Sequence, residues 1–176
     1  MSHRPRNRTA HRLLSLTRLE DRTAPAVATW DGGGADNKWS TAANWNGDVA
    51  PQPGDDLVFP AGVRIRTIVN DLPAGTVFHS IAVNGAASRT NEAGYQISGN
   101  AVTVAVGVTA DFAFGFYPLD STSTLSLDVS GTGGVTKNGT GRFVLAGNNS
   151  YTGVTTVNAG VLEVRTDTGL GAIGGG

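Results

Sequence analysis

Tryptophans, carboxylates and histidines are the side chains with which this sequence could do chemistry, and their spacing narrows what that chemistry is. All three tryptophans, Trp30, Trp39 and Trp45, fall within sixteen positions. Indole faces stack on sugar rings, and Asp31, Asp36, Asn37, Asp55 and Asp56 lie nearby with oxygens suited to hydroxyl binding or calcium coordination. Calcium fails on spacing, because the stretch from Asp31 to Asn37 has too few alternating ligands and no closing Glu. Asp55 and Asp56 are adjacent ahead of an expected strand, so their carboxylates diverge to opposite faces and read as a solvated turn. What survives is a candidate glycan-stacking site at Trp30, Trp39 and Trp45. Its competitor is a hydrophobic cap made of the same rings.

The search for a reaction centre is less productive. His3 and His11 lie in a basic N-terminal arm, and His79 sits in a strand-like run, with Ser80 beside it on the opposite face. Sequence neighbours on a strand cannot act as base and nucleophile to each other. No His-Glu-x-x-His, Gly-x-Ser-x-Gly or phosphate-binding loop occurs, and Gly131-Thr132-Gly133-Gly134-Val135-Thr136 breaks the dinucleotide pattern at its last glycine. Asp111, Asp120 and Asp128 are the carboxylates that could flank a glycosidic bond, but they are widely spaced and no Lys or Arg clusters with them. Cysteine is absent, which removes disulfides, thiolate zinc sites and cysteine nucleophiles. The reading is a non-catalytic chain with no catalytic, cofactor-binding or metal-ligating residues and no cofactor.

The elements that must position these residues are short strands. From Gly131 to Val164 the sequence holds three aliphatic or β-branched runs, Arg142 to Leu145, Val154 to Val157 and Val161 to Val164, each closed by Gly or Asn clusters. The spacing is even, which points to strand stacked on strand rather than to hairpins. In such a coil side chains alternate between a narrow core and solvent, so Leu145, Val157, Leu162 and Val164 are expected inside. Asn148, Asn149 and Asn158 fall at corners, where Asx turns or an Asn ladder would satisfy backbone and amide together. Tyr151 is placed at a corner, and Gly134, Gly153 and Gly160 punctuate the pattern. Further strands are expected at Arg64 to Val69, Val77 to Val83 before Asn84-Gly85, Tyr95 to Ser98, Val102 to Val108 and Leu125 to Val129, with a polar loop over 86–94. Phe112, Phe114, Phe116 and Tyr117 are expected to stack in the core.

The order of glycines, Tyr151-Thr152-Gly153 and Asn158-Ala159-Gly160, with Phe143-Val144-Leu145-Ala146-Gly147-Asn148-Asn149 before them, resembles the autotransporter-associated β-strand repeat, also called the passenger-associated transport repeat. The resemblance covers about thirty-five residues. It implies a right-handed parallel β-helix of the kind found in long passenger regions of bacterial surface and secreted proteins. Trp39-Ser40, Asn44-Trp45, Pro53-Gly54-Asp55-Asp56 and Val58-Phe59 resemble the segment that precedes such repeats, which favours the cap for the tryptophans. Leu19 to Ala26 resembles the LEDR-type leader of large planctomycete proteins and implies export to the cell surface. Ser15, Thr17 and Arg18 interrupt the leucines ahead of it, so a standard signal peptide is rejected.

At 176 residues, with 39% hydrophobic and 15% charged residues, the chain is neither a membrane protein nor a highly charged disordered one. Its net charge of −1 hides a division: six Arg against Glu20 and Asp21 within residues 1–22, and an acidic remainder. Without aromatic platforms among those arginines a nucleic-acid partner is not expected, and no apolar run is long enough for a membrane span. The sequence therefore reads as all-β, a short right-handed parallel β-helix or β-solenoid with a Trp-rich N-terminal cap. Residues 1–28 form a basic flexible leader, 29–60 the cap, 61–165 the coils with the repeat at 131–164, and 166–176 the start of a truncated coil. The expected role is a structural stalk or spacer of a secreted or cell-surface protein, with further repeats of a longer parent chain and a cell-surface or matrix polysaccharide as partners. The alternatives are a carbohydrate-binding module working through the tryptophans or a remnant of a polysaccharide-active β-helix protein.

Overall fold

A computed structural model describes residues 24–64, 66–84, 94–112 and 122–172. Residues 1–23 of the leader, the loop over 86–93, His3, His11, Phe114, Phe116, Tyr117, Asp120 and the glycines at 174–176 lie outside the described residues. The expected flexible leader ends earlier than residue 28, because Val27 and Ala28 pair with Asp56 and Leu57.

Strands account for nearly all regular structure. The chain runs through β1 (Val27–Thr29), β2 (Asp56–Phe59), β3 (Thr67–Asn70), β4 (Thr76–Val83), β5 (Gln96–Gly99) and β6 (Val102–Asp111), then β7 (Thr122–Leu125), β8 (Val129–Ser130), β9 (Gly134–Asn138), β10 (Arg142–Leu145), β11 (Thr155–Val157) and β12 (Val161–Val164). A 3-10 turn at Ala42–Asn44 is the single helical element among the described residues. One sheet runs β1-β2-β4-β6-β9-β11 with β8 also on β6, and the other runs β12-β10-β7-β5-β3. From β2 onward successive strands alternate between the sheets, except that β8 and β9 follow one another on β6, and every strand pairing is parallel. That combination is a chain wound in coils, each stacked on the one before: a parallel β-solenoid, as the punctuated short runs predict.

Register decides what fills the interior. Because coils stack in register, a residue sits above its counterpart one circuit earlier, and a period of two sends alternate positions inward. One inward column is Leu57, Ile81, Val108 and Val135; another is Phe59, Val83, Ala110, Lys137 and Val157; the opposite sheet contributes Ile68, Ile97, Leu125, Leu145 and Val164. Burying each Val, Leu or Ile stabilises the fold by about 1.5–3 kcal/mol. The expectation that Val157 and Val164 are buried needs correction. Both continue inward columns, but Val157 is 50% and Val164 37% exposed. The reason is that no described strand lies beyond β11 and β12 to cover them. Leu162 is partly buried for the same reason, whereas Leu145 is fully buried.

Circuit length changes along the chain. Thr67 pairs with Gln96 and Gln96 with Thr124, whereas Thr122 pairs with Arg142 and Arg142 with Val161. Circuits thus shorten from almost thirty residues to nineteen or twenty. The surplus falls between Val83 and Gln96 and between Asp111 and Thr122.

Candidate functional site

The three tryptophans converge. Trp30 and Trp45 form an antiparallel bridge, and the Trp30 amide donates to the Val58 carbonyl at 2.9 Å, tying this loop to β2. The Trp30 and Trp45 rings meet edge to face at 5.3 Å, Trp39 meets Trp45 at 6.2 Å, and Trp39 lies 5.5 Å from Phe59, which starts an inward column. Trp45 Nε1 donates to the Trp39 carbonyl at 2.8 Å, while Trp39 Nε1 is buried with no acceptor. All three indoles are 0% exposed. A sugar needs an open ring face, and none remains, so the glycan-stacking site at Trp30, Trp39 and Trp45 is not present: hydrophobic packing on Phe59 and Phe78 consumes the rings.

The carboxylates around the tryptophans hold loops. Asp36 accepts from the Lys38 amide at 3.1 Å, Thr41 Oγ1 at 2.9 Å and Asn44 Nδ2 at 3.0 Å. The Lys38 amide and the Thr41 hydroxyl hold its carboxyl below the usual range. Asp71 clamps Ser40 through its amide at 2.9 Å and its hydroxyl at 2.6 Å. Burial pushes that carboxyl up, but the Ser40 bonds outweigh it and leave it lowered. Asp55 accepts from the Gln52 amide at 2.8 Å, closing the expected turn. Asp56 is not part of the turn: as the first residue of β2 it faces away from Asp55. No group of three or more His, Cys, Asp or Glu gathers as a metal site among the described residues.

The register also assembles a cluster that no local pattern announced. Asp56 pairs with Ser80 across the β2–β4 ladder, and its Oδ1 takes bonds from His79 Nδ1 at 2.7 Å and from the Ser80 hydroxyl. Burial raises the Asp56 carboxyl while Ser80 and His79 lower it, and the lowering prevails. Asp56 stands between serine and histidine, so the serine proton is held by a carboxylate instead of by the imidazole that a hydrolase would place there. Asp111 and Asp128 are no closer to a catalytic pair. Asp111 ends β6, and the Asp128 carbonyl accepts the amide of Val102 at its start. About 25–30 Å of strand separates these points, well beyond a glycosidase pair.

The stretch from Gly134 to Leu162 is built around inter-coil bonds. Asn149 is buried; its Oδ1 accepts the Val129 amide at 2.9 Å and its Nδ2 donates to the Gly169 carbonyl at 2.8 Å, so one amide stitches two neighbouring circuits. Asn158 Nδ2 donates to Asn138 Oδ1 at 2.8 Å, a second rung. Asn148 is exposed, and its backbone amide donates to Asp128 Oδ1 at 2.7 Å. Tyr151 is buried, with its hydroxyl 2.7 Å from Thr155 Oγ1; burial raises its phenol and Thr155 partly offsets this. A Cβ on Gly134 would strike the Val154 backbone, and Gly160 turns at φ +73°. Gly153 packs against Gly133 and Gly134.

The profile of the passenger-associated-transport-repeat family matches residues 135–164. The chain carries a passenger-associated transport repeat. A stretch of 66 residues is 46% identical to the adhesin BmaC autotransporter of Brucella suis biovar 1 (strain 1330), covering 38% of this chain and 2% of that relative. The chain thus spans about 2% of the length of the curated relative it matches. No solved structure matches the chain significantly. The transport repeat supplies β9 to β12.

Within the transport repeat, Lys137 is the residue that sequence reading missed. It is 0% exposed, lies 4.9 Å from the Phe112 ring centroid, and donates Nζ to the carbonyls of Asn138, Gly139 at 2.8 Å and Ala159 at 3.4 Å. Burial lowers its ammonium, and Asp111 partly offsets that. The signal was present: Lys137 stands two residues after inward Val135.

Proposed function

We propose that this chain is a non-catalytic structural segment of a secreted or surface-exposed bacterial protein, acting as a rigid stalk or spacer. The observation that carries this reading is the unbroken in-register stacking of the inward columns from Phe59 to Val157 and from Ile68 to Val164. A stack of that kind resists bending, and its length is set by coil number. Residues 29–60 serve as its cap, with three indoles packed on Phe59, the first member of one inward column. At the other side Val157 and Val164 offer apolar positions that further repeats of a longer parent would cover. The likeness to an autotransporter adhesin supports a place on the cell surface, and the polar outer threonines and asparagines suit it.

Insertion tests this directly. Five additional copies of residues 145–164, placed after Val164, should lengthen the particle by about 24 Å, since neighbouring strands stand about 4.8 Å apart. Small-angle X-ray scattering reads the maximum dimension. A particle that grows in girth, or does not grow, overturns the stalk reading.

A further inference from the structure

The outer face of the β4-β6-β9-β11 sheet carries a groove of about 420 Å³ that none of the roles above uses. That volume falls within the range of small-molecule sites. Gly107 and Gly134, register partners on β6 and β9, lie along its middle, and Ser80, opposite Gly107 on β4, ends the row. One flank is a row of threonines in register, Thr109, Thr136 and Thr156. The other flank carries Val106 and Thr132, and Val154 continues the lining.

The hydroxyls divide into two sets. Thr132 Oγ1 is spent on the Ala105 carbonyl at 3.0 Å, and the Ser80 hydroxyl on Asp56. The hydroxyls of Thr109, Thr136 and Thr156 take no hydrogen-bond partner among the described residues, and all three side chains reach solvent. Each can donate and accept, and stacking repeats them about every 4.8 Å. Val106 at 61% and Val154 at 79% exposure bring apolar surface to the same groove. No charged side chain lines it.

We propose that this groove binds an uncharged polysaccharide lying across the strands. A sugar chain alternates hydroxyl edges with C–H faces. The free threonine row matches the edges, while the valines and the bare glycine backbone match the faces. An anionic polymer would find no counter-charge here, and a peptide strand laid over β6 and β9 would find no free edge to pair with, since both strands are paired on both sides and, of the strands lining the groove, only β11 ends the sheet. The proposal goes beyond the stalk reading, and each can fail without the other.

Amide-resolved NMR titration with cellohexaose, maltohexaose and laminarihexaose, and with hexagalacturonate as the anionic probe, tests it. At least one neutral hexasaccharide should shift the amides of Gly107, Thr109, Gly134 and Thr136 and leave those of Trp30 and Trp45 unmoved. Replacing the row by Thr109→Val, Thr136→Val and Thr156→Val keeps its β-branched shape and should weaken binding about tenfold or more, with the urea midpoint unchanged. Should the triple variant not fold, Thr136→Val alone should weaken binding about threefold. The proposal is overturned if none of the three neutral probes moves those amides at about 10 mM, if hexagalacturonate binds there as tightly, or if the variants bind as the parent does.

Discussion

At the scale of single residues, the buried indole N–H groups of Trp39 and Trp45 make a natural comparison. Trp45 Nε1 has the Trp39 carbonyl, whereas Trp39 Nε1 has no acceptor. Truncating either ring to phenylalanine opens a similar void, but Trp45→Phe also orphans a buried carbonyl while Trp39→Phe deletes a donor that was already unpaired. Trp45→Phe should therefore cost about 1 kcal/mol more than Trp39→Phe in urea unfolding. Equal losses would mean that Trp39 Nε1 is in fact satisfied. Placement of these rings was only half legible in the sequence. Three tryptophans in sixteen positions announced a cluster, but whether their faces were open depended on Phe59 and Phe78, which reach them only through coil stacking.

At the scale of elements, β10, β11 and β12 of the transport repeat were legible because Gly and Asn punctuate them, whereas β9, amid the glycines and polar residues of Gly134–Asn138, was not legible as a strand. Nor were the pairings. Asp56, His79 and Ser80 meet because a circuit of twenty-four residues brings Ser80 over Asp56, and no local rule fixes that number. The same register gave Val157 its inward direction, while its exposure depends on whether another strand lies above. Asn149 shows how much a corner contributes to joining elements. Asn149→Ala would leave the Val129 amide and the Gly169 carbonyl without partners in a buried place, and should destabilise the fold by about 2–4 kcal/mol. Asn149→Asp keeps the acceptor for Val129 and loses the donor to Gly169. Its amide exchange should stay slow at Val129 and quicken around Gly169; exchange that quickens equally at both sites would contradict this division.

At the scale of the whole molecule, Asp36, Asp56, Asp71 and Glu163 share a direction: each carboxyl is held below its ordinary value, Glu163 by Arg165 and Arg142. A carboxyl with a depressed folded value contributes stability that is complete above the unfolded-chain value, about 4, and is lost as pH falls below it. Urea midpoints should be level between pH 7 and about 5 and decline below about 4. Asp71→Asn should lower the midpoint at neutral pH and flatten the acid decline; an unaltered pH profile would show that the Ser40 clamp carries none of it. The shortening of circuits has its own consequence. Where successive turns share one path length, recombination can add or delete such a block in the gene and leave every column aligned. The same event among the longer, unequal turns between β3 and β7 would set mismatched paths face to face. Descendants of this sequence should therefore vary in number of turns on the side of Val164 and keep a constant number beside Trp30.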